Sequence, residues 1–389
     1  MAVPEKVTRR RGTLGTLAAG LGLFDTGWLD RRMRARRAVR VAADRGVPVL
    51  HSLVAGTARQ LDVPVPDQVW VAAGCAVRAE GLLGGRRTRL VVGAAPLLVL
   101  PPAELRALVA RSLAAYHAGR PRWDADEAMT RVVSGWTAAA ALLHLAVVEQ
   151  RFALYLAACV DPLAGARVMP SDLYAGWRRR YRDETGRAVY TAGFDLDGVE
   201  DPDQPLTGPP LRERLARLTP DVGHLPLFPT AWPAVDAFSA DEDATLSRTA
   251  RVPGPRSIRR VHRIPWSAIG DRPYRDATAR LAAAVYAATA RIVDAPAGAG
   301  EVIDLYAAGR HPRLVEALAQ PLQVPVRDIP PSGPLTAVLA HELRGRGYAG
   351  VSPLFPARLR APDGATLDVP DTVWTAMRRH DYATLRALT

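Results

Sequence analysis

Residues 136–148, WTAAAALLHLAVV, form the longest apolar run in the chain, interrupted only by His144. A stretch of this kind has few places to go. A membrane-spanning helix needs about twenty apolar residues, and here Glu149, Gln150 and Arg151 follow at once. The run is therefore expected to be buried inside the protein, as part of a long helix over about 125–160. The chain has enough material to wrap it. With 389 residues, 48% of them hydrophobic and 23% charged, it can build a sizeable core and two ordinary domains.

The formal charge of +12 is carried almost wholly by arginine, since Lys6 is the only lysine. Together with abundant Ala, Gly, Pro and Val this points to a high-GC genome, so part of the arginine count reflects codons. A solvated basic surface is the expected outcome, although such a charge also permits attraction to anionic partners. Cys75 and Cys159 lie in apolar contexts without CxxC spacing, which fits buried thiols in a reducing cytoplasm. Thr13–Phe24 is too short and lacks the cleavage site of a secretory signal. The basic segments Arg9–Arg11 and Arg31–Arg40 leave open a role as a membrane-surface adaptor, so the expected location is cytoplasmic with membrane-peripheral contact as an option.

The segment Arg87–Gly119, RTRLVVGAAPLLVLPPAELRALVARSLAAYHAG, carries the clearest family signal. It resembles the strand, loop and active-site helix of the M48 family of zinc metallopeptidases, whose helix reads close to ELRAVLAHELGH. The HExxH positions fall here on Arg111, Ser112, Leu113, Ala114 and Ala115. In that motif two histidines on one helix face hold zinc, and the glutamate takes a proton from the metal-bound water. Arginine cannot coordinate zinc and alanine has no ligand atom. Arg111 and Ala115 lie about 40° apart on the wheel, as two ligands would. The apolar stripe Leu105, Leu108, Val109, Leu113 and Tyr116 runs beside them to dock the helix. An ordinary zincin is excluded.

The resemblance covers roughly residues 30–218. Val47–Gly81 is similar to the family's helix, connection and edge strand. Val147–Val160 sits where the family has RRxEfxAD, which sets Arg151 at the third ligand, or Gln150 or Glu149 if the register slips. Thr207–Leu218, TGPPLRERLARL, resembles THPPlxxRixxL with Gly208 replacing the histidine and Arg214 retained. The resemblance implies an α+β fold: a mainly helical zincin-like domain with a small antiparallel sheet, over 30–218.

Beyond it, residues 219–263 read as a Pro- and Asp-rich linker or wrap, and 264–389 as a smaller helical domain. That domain is expected to end in a hairpin over Arg358–Val369, turned by Pro-Asp-Gly, and a helix over Thr372–Leu388. Within the first domain the residues predict two helices over 30–61, strands over Gln68–Ala73 and Thr88–Gly93 with a hairpin-like loop over Glu80–Arg86, and a helix over 102–118. The Leu211–Leu218 helix is expected to be peripheral, and Glu104 to favour its helix dipole from the first turn. The basic-aromatic cluster Trp177–Tyr181 is expected on an exposed helical face.

Three functional readings follow. The leading one is a catalytically inactive M48-like protein, a pseudopeptidase that binds or regulates a partner. That partner is an active metallopeptidase of the same family, or a peptide held beside strand Thr88–Gly93, with Thr88, Leu90, Val92, Arg111, Glu149 and Arg214 lining the old cleft. In it the Arg111 guanidinium pairs with Glu149 or another acidic group across the helices, a cation replacing a cation. The second is an enzyme with a relocated metal site using His117, His144 and Glu149. The third is the membrane-surface adaptor. His341–Glu342 is the only His-Glu dipeptide, but Gly345 occupies the fifth position and the pair reads as an exposed helical face. There is no GxSxG around Ser112, Gly81, Gly84 and Gly85 form a turn instead of a phosphate loop, and nothing supports a cofactor or a nucleic-acid partner.

Overall fold

The computed structural model describes residues 38–40, 48–81, 87–118, 125–185, 209–231, 233–235, 238–249, 261–322, 326 and 329–389. The basic N-terminal segments up to Arg37, the loop 82–86 and the acidic stretch Phe194–Asp203 lie outside them. The fold is α+β, dominated by helices with small sheets.

The main sheet holds β1 (Ala38–Arg40), β2 (Gln68–Ala72), β3 (Val77–Gly81) and β4 (Thr88–Gly93) in the order β1-β2-β4-β3. Alternation fixes its inner face: Val69 and Val71 of β2 are buried while Gln68, Trp70 and Ala72 are only partly covered. Two expectations are corrected. The sheet is mixed, because β2 and β4 run parallel while β1–β2 and β3–β4 are antiparallel. And Ala38–Arg40 is a strand where a helix was expected, because β2 offers it a ladder that local sequence does not reveal.

Helix α1 (Pro48–Gln60) precedes β2, and the short α2 (Ala94–Leu97) follows β4. Next comes α3 (Pro102–Ala118), opened by Pro102 at a position where a missing N–H costs nothing. The long apolar helix does not start near 125. Asp126–Met129 forms its own short helix, α4, and α5 (Gly135–Tyr155) begins afresh where the Ser134 side chain accepts from the Thr137 N–H at 3.2 Å. A π-helical turn (Leu156–Val160) carries α5 into α6 (Asp161–Ala164). Gly135–Ala164 is long and apolar enough to cross a membrane, but 89% of its most apolar window is buried inside the fold. It is the central core helix.

A short parallel pair, β5 (Val168–Pro170) and β6 (His262–Ile264), brackets α7 (Leu173–Glu184), α8 (Leu211–Leu218) and α9 (Ala240–Thr249). The Trp177–Tyr181 cluster is not an exposed face. Trp177 and Tyr181 are buried in an aromatic cluster with Phe152, Tyr155 and Tyr174, and the Trp177 Nε1–H donates to the Ala95 carbonyl at 3.2 Å. Nor is α8 peripheral, since Leu211, Arg214 and Leu215 are buried. Residues after it wrap the first core, contributing Leu225, Phe228, Val235 and Leu246.

The C-terminal part comprises α10 (Arg272–Val293), α11 (Ala299–Ala307), α12 (His311–Leu322) and α13 (Gly333–Gly345), then β7 (Ala349–Ser352), β8 (Phe355–Arg360) and β9 (Thr366–Asp368). Gly364, at φ +91°, makes the Pro-Asp-Gly turn between β8 and β9. The last helix is two: α14 (Val369–Arg379) ends at His380 in the left-handed region, and α15 (Tyr382–Ala387) restarts under an Asp381 cap. The two hydrophobic cores do not divide at 264. Trp266, Ile269 and Tyr274 belong to the first, and α10 enters the second only from Leu281 onward.

Candidate functional site

Helices α3 and α5 pack against each other with α4 beside them. Arg111 and Arg151 are buried, Ala115 half-buried. Arg111 Nε forms an ion pair with Asp126 Oδ1 at 2.9 Å. Arg214 comes from α8 and grips the same carboxylate, Nε to Oδ2 at 2.7 Å and Nη2 to Oδ1 at 3.0 Å. All three side chains are buried. Asp126 is thus held between two guanidiniums, one of them in the two-pronged geometry that suits a carboxylate. Arg111 thus has an acidic partner in Asp126, which lies on α4 and not on the facing helix α5. Glu149 is buried on α5.

Ser112 has a structural job. Its Oγ accepts from the Ala79 N–H at 2.7 Å and donates to the Val77 carbonyl at 3.1 Å. One turn on, the Tyr116 hydroxyl lies over Gly81, where an added Cβ would meet it at 2.9 Å. Helix α3 therefore closes the edge of β3 with its own side chains, using backbone groups that an added strand would need. Ser112→Ala is expected to lower stability by about 1 kcal/mol and to speed hydrogen exchange at the Ala79 amide, read by two-dimensional NMR. Unchanged exchange at Ala79 would mean the clamp does not form.

Among the described residues, strand β4 (Thr88–Gly93) offers no open edge for a peptide. Strand β4 lies between β2 and β3, so it has no open edge, and Leu90 and Val92 are fully buried core residues. Thr88 is partly exposed, its N–H donating to Asp67 Oδ2 at 2.7 Å. Of the lining proposed from sequence, Arg111 and Arg214 do converge, on Asp126.

The relocated metal site is not assembled either. His117 is exposed near the end of α3. His144 is buried on α5, with Nδ1 2.8 Å from Glu104 Oε2 and Nε2 2.8 Å from the Pro226 carbonyl. A carbonyl only accepts, so Nε2 carries a proton, and Nδ1 and Glu104 share another between them. Both ring nitrogens are committed, which leaves none for a metal. Glu104 accordingly serves as a buried partner of His144, beyond any interaction with its own helix dipole. Among the described residues no group of three or more His, Cys, Asp or Glu side chains could hold a metal ion. His341 is half-buried against the Tyr286 ring, whose hydroxyl is bonded to Glu342.

Cys75 and Cys159 are both buried free thiols. Burial pushes the Cys159 thiol up to about 11, although the Arg180 guanidinium beside it pulls the other way. At neutral pH it is a thiol and a poor nucleophile. Compared with known proteins, the chain matches no family model, no curated protein and no solved structure.

Proposed function

We propose that this chain is a catalytically inactive M48-like protein that acts by binding or regulating a protein partner in a reducing compartment. The observation that carries the reading is the Arg111–Asp126–Arg214 cluster. Its two arginines come from two separate segments that resemble the metallopeptidase pattern, and the first stands at the first ligand position. A fixed guanidinium there bonds a carboxylate and leaves no lone pair for zinc. Ser112 supports the same reading, because its hydroxyl is tied to β3 by two hydrogen bonds.

The closed β3 edge narrows how a partner would bind. Strand addition beside β3 or β4 is disfavoured. The partner class that fits an enzyme-derived scaffold is an active metallopeptidase of the same architecture. The test is to mix the full chain with an HExxH-bearing peptidase from the same genome. A one-to-one complex on gel filtration and an altered cleavage rate are expected. Chelator-sensitive peptide cleavage by this chain alone would sink the proposal, as would neither association nor any change in rate.

A further inference from the structure

Pro162 shapes the place where the two cores meet. It has no N–H, and its ring displaces the carbonyl one turn back, so the helix widens into the π turn Leu156–Val160 just before it. The Cys159 carbonyl accepts from the Tyr274 hydroxyl at 2.7 Å, which ties the first turn of α10 to the π segment. Further ties follow the same seam. Arg180 Nη1 donates to the Leu354 carbonyl at 2.8 Å, and Arg358 Nη2 to Asp183 Oδ2 at 2.6 Å. Leu354, in the turn between β7 and β8, sits in the first core, and Ala157 of the π segment sits in the second.

Asp161 lies in this seam, on α6, which packs against the π segment, α10 and β5. It is 5% exposed, and among the described residues neither carboxyl oxygen has a hydrogen-bond partner. A carboxylate so placed would be a bare charge in an apolar setting. Among the described residues, the groups around it offer no relief. The π segment contributes Cys159, whose sulfur is bonded to Arg180. Helix α10 contributes Tyr274, already committed, and the exposed Arg272, Arg275, Asp276 and Arg280. Strand β5 has no titratable side chain, while the adjoining Arg167, His262 and Arg263 are exposed. Burial pushes the Asp161 carboxyl well above the usual carboxylate range.

We propose that Asp161 is a proton-operated latch: while its carboxyl is neutral the two cores stay docked across α6 and α10, and its ionisation loosens that seam while each core stays folded. The sign follows from proton uptake. The docked state keeps a proton that an exposed aspartate has already lost, so docking is fully favoured below the ordinary aspartate range. It weakens as pH rises towards the raised value of the buried group.

The test is amide hydrogen exchange on the full chain at about pH 5 and about pH 8, corrected for the intrinsic pH dependence of exchange. In the unsubstituted protein, protection of residues 156–164 and 272–281 should fall about tenfold or more between the two, with no comparable fall in β4. Asp161→Asn should abolish that fall. Asp161→Ala serves as a second variant, and the comparison of seam with β4 in the unsubstituted chain decides even if neither variant folds. An equal fall in the Asn variant, an equal fall in β4, or no fall at the seam would overturn the latch.

Discussion

Asp126→Ala is expected to destabilise the protein by about 3–5 kcal/mol, the usual cost of removing one partner from a buried ion cluster. The substitution leaves the Arg111 and Arg214 guanidiniums facing the site of the lost carboxylate, in a region where all three side chains are buried. Coulomb repulsion and lost solvation then act in the same direction. Three elements should loosen together, because the carboxylate joins α3, α4 and α8. Urea denaturation of both proteins measures the loss. The apolar combination Arg111→Met, Asp126→Leu and Arg214→Met should be much milder, since it also removes the charges that need company. A loss below about 1 kcal/mol for Asp126→Ala, in the range of a surface pair, would mean the cluster does not hold these helices.

His144→Leu is the second large effect, again about 3–5 kcal/mol, for a related reason. The side chain fits an apolar helix by size, so the loss comes from the partners it leaves behind. Glu104 would keep a buried carboxyl without its proton-sharing neighbour, and the Pro226 carbonyl would lose its donor. The double variant Glu104→Leu, His144→Leu should recover much of the loss, because only the carbonyl remains unsatisfied. Thermal unfolding of the three variants checks it. If His144→Leu is neutral and the double variant is the worse of the two, the pair is not the buried bond described.

The parts of the fold legible in sequence were those governed by local chemistry. Pro101–Pro102 and the apolar stripe fix the start and face of α3, and the bounds of α8 follow from Pro210 and the Leu211–Leu215–Leu218 spacing. Pro-Asp-Gly before Ala365 predicts the β8–β9 turn that Gly364 makes. What escaped depends on distant partners. Strand β1 has three residues and owes its form to pairing with β2. The parallel β2–β4 ladder is set by a crossover through β3, not by either strand.

The site shows the same division. That Arg111 could not be a zinc ligand is plain from its side chain alone. Its carboxylate partner is not, because Asp126 meets Arg214 across 88 positions and only the packed α8 brings them together. His144 carried a usable signal, a single polar group in a wholly apolar run, which demands partners for both nitrogens. The partners themselves, 40 and 82 positions away, could not be read. Asp161–Pro162 carried a weaker one, an acidic residue and a helix breaker at the end of an apolar helix.

Zinc stoichiometry on protein refolded with excess zinc, then freed of loose metal by gel filtration, addresses the central claim most directly. With Arg111 and Arg214 locked on Asp126 and both His144 nitrogens bonded, the chain should retain far less than one zinc per molecule and cleave no peptide. One zinc per chain, lost together with a chelator-sensitive peptidase activity when His117, His144 or Glu149 is replaced, would contradict it.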